Sequence, residues 1–244
     1  MAEPTTILRS EHTLSRRHID DDALKVIYRL QQNDFETYLV GGGVRDLLLD
    51  RRPKDFDLGT SAHPQQIKRL FRNCWIIGRR FRLAHIKFGQ KTIEVATFRR
   101  KFPSETASED QQTGKTKNAG TVDDLLKPIR RDNTFGTAEE DAFRRDFTIN
   151  ALAKDSAGNI IDMFGGQEDL QNKIIRAVGD PNERFSEDPL RMMRALQFAV
   201  RFDFDIESET LAAIRNNIDK IDTLAAERVF MEFNKAWTKG SVNS

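Results

Sequence analysis

The sequence predicts an α/β (α+β) fold, in which strands and helices first alternate and helices alone then follow. Short apolar runs such as Tyr38 to Val40 and Leu83 to Phe88 are typical of strands. Between these runs, apolar residues recur three and four positions apart, which is typical of helices. After Gly165-Gly166 the apolar spacing is helical, so we expect two cores in a chain of 244 residues, one for each part.

The elements can be placed in order along the chain. Residues 19–33 form an amphipathic helix with an acidic first turn, and Ile67, Leu70 and Phe71 mark another helix. Further strands are predicted at 75–77, 83–88, 92–98 and 159–164, and one long helix at 137–155. The helical part divides into two pieces at Gly179, Asp180 and Pro181, followed by helices over 207–237.

A glycine-rich turn stands at the centre of the first part. Gly41, Gly42 and Gly43 follow a predicted strand and let the backbone turn without a Cβ in the way. Val44, Leu47 and Leu48 then have the spacing of an apolar helix face. The free N–H groups at such a helix start attract phosphate.

Two aspartates follow this helix at a spacing of two. Residues Asp55 to Leu58 are predicted as a strand, on which Asp55 and Asp57 share a face. Two carboxylates on one face repel each other unless a cation lies between them. Mg²⁺ prefers such oxygen ligands, and two ions roughly 4 Å apart can clamp the attacking and leaving oxygens of a phosphoryl transfer.

The segments GGGVRDLLL and PKDFDL resemble the signature of the class II nucleotidyltransferases, the family of bacterial poly(A) polymerases and tRNA CCA-adding enzymes. The resemblance implies a nucleotidyltransferase head with a small mixed β-sheet flanked by helices, followed by an all-helical neck domain. It also implies two aspartates holding Mg²⁺ and the transfer of a nucleotide from a nucleoside triphosphate to an RNA 3′ end.

The resemblance extends to a third carboxylate and to the glycine turn. A carboxylate on the strand at 92–98 completes the acidic trio in the family, and Glu94 stands there, opposite in face to Ile93 and Val95. A solvated surface position would also explain Glu94. Catalytic and metal-binding roles are therefore expected for Asp55, Asp57 and Glu94, while Gly41, Gly42 and Arg45 are expected to steady the triphosphate.

Two further segments resemble motifs that contact the nucleotide. RRDFTINAL is similar to the ribose-binding motif and assigns Arg145, Asp146 and Asn150 to sugar and phosphate contact, although surface salt bridges are the alternative. EDPLR resembles the Glu-Asp-x-x-Arg motif that reads the incoming base, here Glu187, Asp188 and Arg191. A capping acid and an ordinary ion pair explain that segment equally well.

The segment IIGRRFRLAHI resembles the one that distinguishes bacterial poly(A) polymerases from CCA-adding enzymes. It assigns Arg79, Arg80 and Arg82 to RNA, since cations around an aromatic suit phosphate contact and base stacking. Composition alone would make the same residues a solvated basic face. The net charge is only +1, so any nucleic-acid contact must come from such local clusters.

Composition and the family pattern together suggest a domain plan. We expect a mobile segment at 1–18, a catalytic head at 19–164 with a mobile insert at about 103–127, and a helical neck at 165–244, with the family's C-terminal RNA-binding region lacking. One cysteine excludes an intrachain disulfide, the four histidines give no zinc spacing, and no apolar run or signal pattern points to a membrane. A cytoplasmic location is expected.

The expected function is Mg²⁺-dependent transfer of AMP from ATP to an RNA 3′ end, with two metal ions and ATP and RNA as partners. A tRNA CCA- or A-adding enzyme has the same chemistry and a different acceptor. A catalytically idle module that binds nucleotide or RNA is the third alternative, against which the full acidic set argues.

Overall fold

The computed structural model describes residues 4–78, 82–100 and 135–240. The predicted insert at 103–127, and Arg79 and Arg80, lie outside the described residues. The strands are β1 Thr5–Ile7, β2 Thr37–Val40, β3 Asp57–Thr60, β4 Cys74–Ile77, β5 Leu83–Phe88, β6 Lys91–Thr97, β7 Leu152–Lys154, β8 Ile160–Asp162, β9 Ile174–Ile175 and β10 Asp205–Ile206. The helices are α1 Asp21–Gln31, α2 Gly42–Leu48, α3 Pro64–Leu70, α4 Ala138–Phe143, α5 Gly166–Gln171, α6 Pro181–Glu187, α7 Leu190–Phe202, α8 Ser208–Asn217 and α9 Ala226–Gly240.

The described residues form one mixed sheet of eight strands in the order β1-β8-β7-β2-β3-β6-β5-β4. Strands β3 and β6 run parallel, and every other neighbouring pair in this sheet is antiparallel. The α+β class and the mixed sheet flanked by helices are therefore confirmed. The parallel pair at the centre places residues from two distant parts of the chain side by side.

Two main clusters of buried apolar side chains match the two expected cores. The first joins α1, through Ala23, Val26, Ile27 and Leu30, to the sheet. The second is built mainly from the later helices, with Phe185, Met192, Phe198, Phe202 and Ile214 among its members. Phe147 and Ile149 also belong to the second cluster, so residues from before the predicted boundary at 164 pack into the helical part. The domain boundaries stay predictions.

The N-terminal segment differs from the expected mobile tail. Residues Thr5 to Ile7 pair antiparallel with β8 at the edge of the sheet, and Leu14 is buried in the first core. Polar composition suggested mobility, but the unpaired backbone of an edge strand can bind a short polar segment through main-chain hydrogen bonds alone.

The prediction of one long helix at 137–155 is correct for its first turns and wrong beyond them. Thr137 caps α4 as predicted, because its hydroxyl accepts a hydrogen bond from the Glu140 N–H, but the helix ends at Phe143. Residues Thr148–Asn150 form a short 3₁₀ turn, and β7 follows between β2 and β8. Pairing on both edges of β7 outweighs the helical spacing of the local sequence.

The helical part departs from the prediction at two places. Strands β9 and β10, of two residues each, pair in parallel within it. A break also separates α6 from α7 at Asp188-Pro189, where one continuous helix was expected. The cause is Pro189, because a residue before proline is driven into the extended conformation, and Asp188 has φ −148° and ψ 96°. Within the described part of the chain, no helix combines the length and apolar character needed to cross a bilayer.

Candidate active site

Strands β3 and β6 bring two of the three predicted carboxylates together. Asp57 opens β3 and lies directly beside Glu94 in the parallel register, so the two side chains share one face of the sheet. Asp55 precedes the strand, which begins two residues later than predicted. All three carboxylates line a cavity of about 570 Å³, here called the carboxylate cavity.

The electrostatics of Asp57 show the effect of its neighbours. Burial raises the pKa of Asp57, the carboxylates of Glu94 and Asp55 raise it further, and the guanidinium of Arg145 opposes them. Glu94 has one nearby cationic candidate, since its Oε1 lies 3.5 Å from His85 Nε2. A cation between these carboxylates would therefore relieve a repulsion that the fold imposes.

The described residues contain no preformed cluster of three or more His, Cys, Asp or Glu side chains for a metal ion. The donor chemistry nevertheless fits Mg²⁺, because three carboxylates meet at one cavity and hard oxygen donors are its preferred ligands. Asp55 and Glu94 are exposed, so their side chains can rotate without disturbing the core.

The glycine turn leaves room for the guanidinium groups of two arginines. Gly41 has φ +72°, and a Cβ there would lie 2.5 Å from Nη1 of Arg145. A Cβ on Gly42 would lie 3.3 Å from Nη2 of Arg45. Two guanidinium groups thus approach the backbone where α2 begins, and this is where the sequence predicted a triphosphate.

Arg145 and Asp146 lie after α4 and not inside a helix, contrary to the prediction. Arg145 Nη2 is 3.5 Å from Asp141, so the ion pair between these two residues is weak. Asp146 is deeply engaged: it accepts from the Phe147 N–H, from Asn150 Nδ2 at 2.9 Å, and twice from Arg194 at 2.8 and 2.6 Å. Burial alone would raise the pKa of Asp146, but Arg194, Asn150 and the Phe147 N–H outweigh it and hold that pKa below its usual value.

Arg45 is largely occupied by other residues of the protein. It is 4% exposed and donates from Nε and Nη2 to Asp46 Oδ1 at 2.9 and 2.6 Å. Its Nη1 donates to Asn150 Oδ1 at 2.5 Å, and its guanidinium lies 4.5 Å from the centre of the Phe202 ring. Arg45 and Asn150 therefore link α2 to the 148–150 turn and to α7, whatever they also contribute to a ligand.

A second cavity, of about 340 Å³, adjoins this network and is here called the arginine pocket. Its wall combines the predicted site residues Gly42, Asp57, Arg145, Asp146 and Asn150 with residues that the sequence analysis did not select. It is lined by four arginines, namely Arg45, Arg145, Arg194 and Arg201. A guanidinium group can donate two parallel hydrogen bonds to the oxygens of a phosphate, so this pocket has the chemistry of a triphosphate site.

Arg194 and Arg201 could have been found from helical spacing. Together with Arg191 they stand at positions i, i+3 and i+10 of α7, a charged stripe on a helix whose other face is apolar. Arg194 also lies 3.6 Å from Glu232, a buried acid of α9, and Arg201 lies 3.9 Å from Asp46 of α2. Arg194 and Arg201 of this stripe line the arginine pocket.

The three residues predicted to read the base are grouped but lie outside the walls of the arginine pocket. Glu187 Oε2 accepts from Arg191 Nη1 at 3.0 Å, which confirms that the two are neighbours. Asp188 Oδ1 lies 3.7 Å from Arg228 Nη2 of α9. Their contact with a base stays a prediction. Arg82, the residue before β5, is exposed.

A buried arginine joins the two predicted nucleotide motifs. Arg184 is 2% exposed and donates from Nη2 to the carbonyl oxygens of Arg144 and Arg145 at 2.7 and 2.5 Å. Its Nη1 donates to Glu187 at 2.6 Å. The sequence analysis passed over Arg184, because nothing in a helix of alternating charges marks the one arginine that turns inward.

Comparisons with known proteins match two family models to this chain. A family model described as the Poly A polymerase head domain matches residues 37–176, and one described as the probable RNA and SrmB-binding site of polymerase A matches residues 203–242. The first match contains the glycine turn, all three carboxylates and the Arg145 loop.

The similar proteins include both poly(A) polymerases and CCA-adding enzymes. Poly(A) polymerase I of Salmonella typhi is 46% identical over 238 residues, which cover 97% of this chain and 49% of that protein. A CCA-adding enzyme of Lactobacillus helveticus is 42% identical over 213 residues, covering 87% of this chain and 49% of that protein.

A solved structure supports the same grouping. The Bacillus stearothermophilus CCA-adding enzyme in complex with CTP is 36% identical, with a TM-score of 0.73, over 88% of this chain and 47% of that one. The chain spans about half the length of the curated relatives it matches. Since the head-domain model covers more than half of its residues, the chain belongs to the family of the poly(A) polymerase head domain.

Proposed function

We propose that this chain carries the nucleotidyl-transfer site of a template-independent polymerase that adds AMP from ATP to the 3′ end of RNA and releases pyrophosphate. The observation that carries the proposal is the position of Asp57, which lines both the carboxylate cavity and the arginine pocket. A group bound by the arginines therefore ends beside the carboxylates, as an α-phosphate must during transfer.

The roles of the residues follow from their positions. Arg145, held against the Gly41 backbone, and Arg194 and Arg201 on α7 would bind the triphosphate and orient its α-phosphorus toward Asp57. The RNA 3′ hydroxyl loses its proton to solvent and its oxygen attacks that phosphorus, the bond to the bridging oxygen of the β-phosphate breaks, and pyrophosphate leaves. The same arginines remain beside the departing pyrophosphate and stabilise its charge.

Asp55, Asp57 and Glu94 would hold Mg²⁺, for which we propose two ions. When bound, Mg²⁺ supplies positive charge at the attacking and leaving oxygens. Without a cation the three carboxylates repel one another and the triphosphate, which agrees with the raised pKa of Asp57.

Base choice is assigned to the neck. Glu187, Asp188 and Arg191 offer both hydrogen-bond donors and acceptors. A site that forms hydrogen bonds with the edge of one base rejects a different base, because the different base would leave buried polar groups of the site without hydrogen bonds. Arg184 connects these residues to the Arg145 loop, so base and phosphate recognition are mechanically linked.

A CCA-adding activity on tRNA is the second candidate. The observation favouring it is the likeness to CCA-adding enzymes at 42% and 36% identity, only slightly below the 46% of a poly(A) polymerase.

One assay separates the two candidates. The chain is given labelled ATP or CTP with Mg²⁺, and either a generic RNA or a tRNA lacking its terminal CCA. The proposal predicts ladders of A on the generic RNA and little use of CTP. Restoration of CCA on the tRNA alone would establish the second candidate, and no incorporation on either acceptor would overturn both.

A further inference from the structure

The carboxylate cavity continues into a third cavity on the surface of the head. This third cavity, of about 460 Å³, is here called the basic groove. Asp20, Arg52 and Phe56 line both, so the two spaces adjoin. The basic groove shares no lining residue with the arginine pocket, and only Asp57 connects that pocket to the carboxylate cavity.

Three exposed cations mark the path from the carboxylates outward. Lys54 lies beside Asp55 in the carboxylate cavity, Arg52 is common to both spaces, and Arg17 lines the groove. Among the described residues, no carboxylate lies within ion-pair distance of these three. Most cations elsewhere around the site are paired, Arg194 with Asp146 and Lys91 with Asp20 for example.

The acids of the groove do not cancel this charge. Asp20 is bound by Lys91 at 2.6 Å and caps α1 through the Asp22 N–H, so its charge is already compensated. Asp50 remains as an opposing carboxylate, against Arg17, Arg51 and Arg52. The groove therefore carries net positive charge, and it leads toward a cluster of three negative charges.

An aromatic ring lies at the junction. Phe56 is only partly buried and lines both the carboxylate cavity and the basic groove. Cations that follow a backbone, combined with an aromatic on which a base can stack, are the usual means of binding single-stranded nucleic acid without sequence preference.

We propose that the 3′-terminal nucleotides of the acceptor RNA lie along this groove, with their phosphates against Lys54, Arg52 and Arg17. The inference rests on the proposed function and deepens it. The 3′ hydroxyl then reaches the carboxylates through the basic groove while the nucleoside triphosphate occupies the arginine pocket. The two substrates meet at Asp57. Because the contacts are to phosphate, the groove accepts any RNA sequence.

The test compares an Arg17→Ala/Arg52→Ala variant with the unchanged chain. Affinity for a labelled single-stranded RNA of fifteen nucleotides is measured by fluorescence anisotropy across a salt series, and affinity for ATP by calorimetry. Each phosphate contact contributes a slope of about 0.7 in log affinity against log salt for single strands. The variant should lose a slope of about 1.4 and roughly tenfold in RNA affinity at 0.1 M salt. ATP affinity should not change.

A matched control uses Arg69→Ala/Arg72→Ala, which removes two exposed arginines at the end of α3 that line none of the three cavities. It should bind RNA as the unchanged chain does. An equal loss in both double variants would mean that only net charge matters and would overturn the groove. Unchanged RNA affinity and slope in the Arg17→Ala/Arg52→Ala variant would also overturn it.

The location is tested by neutralising phosphates on the RNA. Methylphosphonates at the last three linkages before the 3′ end should weaken binding to the unchanged chain, and should remove most of the difference between that chain and the Arg17→Ala/Arg52→Ala variant. If methylphosphonates at the 5′ end have this effect instead, the proposed direction is wrong. Binding that passes these tests without any incorporation of nucleotide would support the groove and refute the proposed function.

Discussion

Two constraints meet at Gly41. Its φ of +72° with ψ of −138° is a conformation that side chains rarely adopt, and its missing Cβ leaves room for the Arg145 guanidinium. Gly41→Ala should therefore lower the free energy of unfolding by roughly 1–3 kcal/mol. It should also weaken ATP binding, because Arg145 must move away. Urea denaturation and calorimetry measure the two effects.

Gly165→Ala provides the control for Gly41. Gly165 also has a positive φ, of +73°, but a Cβ there would meet nothing within 4 Å. The control should lose some stability and keep its ATP affinity. If Gly41→Ala also keeps its ATP affinity, Arg145 does not bind the triphosphate from this position.

The position of a single residue could be predicted from the sequence where a local pattern, such as strand alternation, determines which way its side chain points. Strand alternation was enough to separate Glu94 from the buried Ile93 and Val95. Asp57 and Glu94 are neighbours only through the parallel pairing of β3 with β6, which no local pattern specifies. Their meeting came from family resemblance. Arg184 was not selected because its role depends on which face of its helix is buried, which the local sequence does not show.

At the scale of elements, the Asp146–Arg194 pair ties the loop after α4 to α7. The folded state lowers the pKa of Asp146, so its contribution to stability is full above the usual value of 3.8 and is lost as the pH falls through the lowered value. Asp146→Asn should cost roughly 1–3 kcal/mol at pH 7, since it weakens hydrogen bonds to a charged group.

The cost of Asp146→Asn should shrink as the pH falls below 3.8, which urea denaturation between pH 7 and pH 3 measures. Asp219→Asn serves as the control, because the Asp219 side chain is exposed. A cost for Asp146→Asn that stays constant across this range would contradict the ion pair as the source of the stability.

Arg184 holds α6 against the Arg144–Arg145 backbone. Arg184→Lys keeps the charge but loses the planar fork, which leaves carbonyl oxygens and Glu187 without their donors. The substitution should lower the free energy of unfolding by roughly 2–4 kcal/mol and raise KM for ATP, because both nucleotide motifs shift. Arg215→Lys on the exposed face of α8 should change neither quantity. A stable Arg184→Lys variant with unchanged KM would refute the positioning role.

Elements were predicted best where local and tertiary preferences agree. The bounds of β5 match the prediction residue for residue, and Thr137 caps α4 as expected. The prediction of a helix after α4 failed although the apolar spacing there is helical. Phe147 and Ile149 instead pack into the second core, and β7 joins the sheet. Composition also could not show that Thr5 to Ile7 pair with β8, a partner more than 150 residues away.

At the scale of the whole molecule, the sheet and the later helices both supply residues to the candidate site. The sheet side presents the carboxylates, α7 presents Arg194 and Arg201, and Asp57 is the residue at which both spaces meet. The packing of Arg45 on Phe202 and the contact of Arg201 with Asp46 hold α2 and α7 together. The proposed nucleotidyl transfer at Asp57 is the central consequence of this arrangement.

That consequence is tested most directly by following the phosphorus atoms of ATP. The chain is incubated with Mg²⁺, an RNA acceptor and ATP labelled at either the α- or the γ-phosphate, beside an Asp57→Asn variant whose fold is checked by circular dichroism. Transfer at Asp57 predicts α-label in the RNA, γ-label in pyrophosphate in equal amount, and loss of both products in the variant. Label from the γ-phosphate in the RNA, or undiminished turnover by Asp57→Asn, would contradict the account.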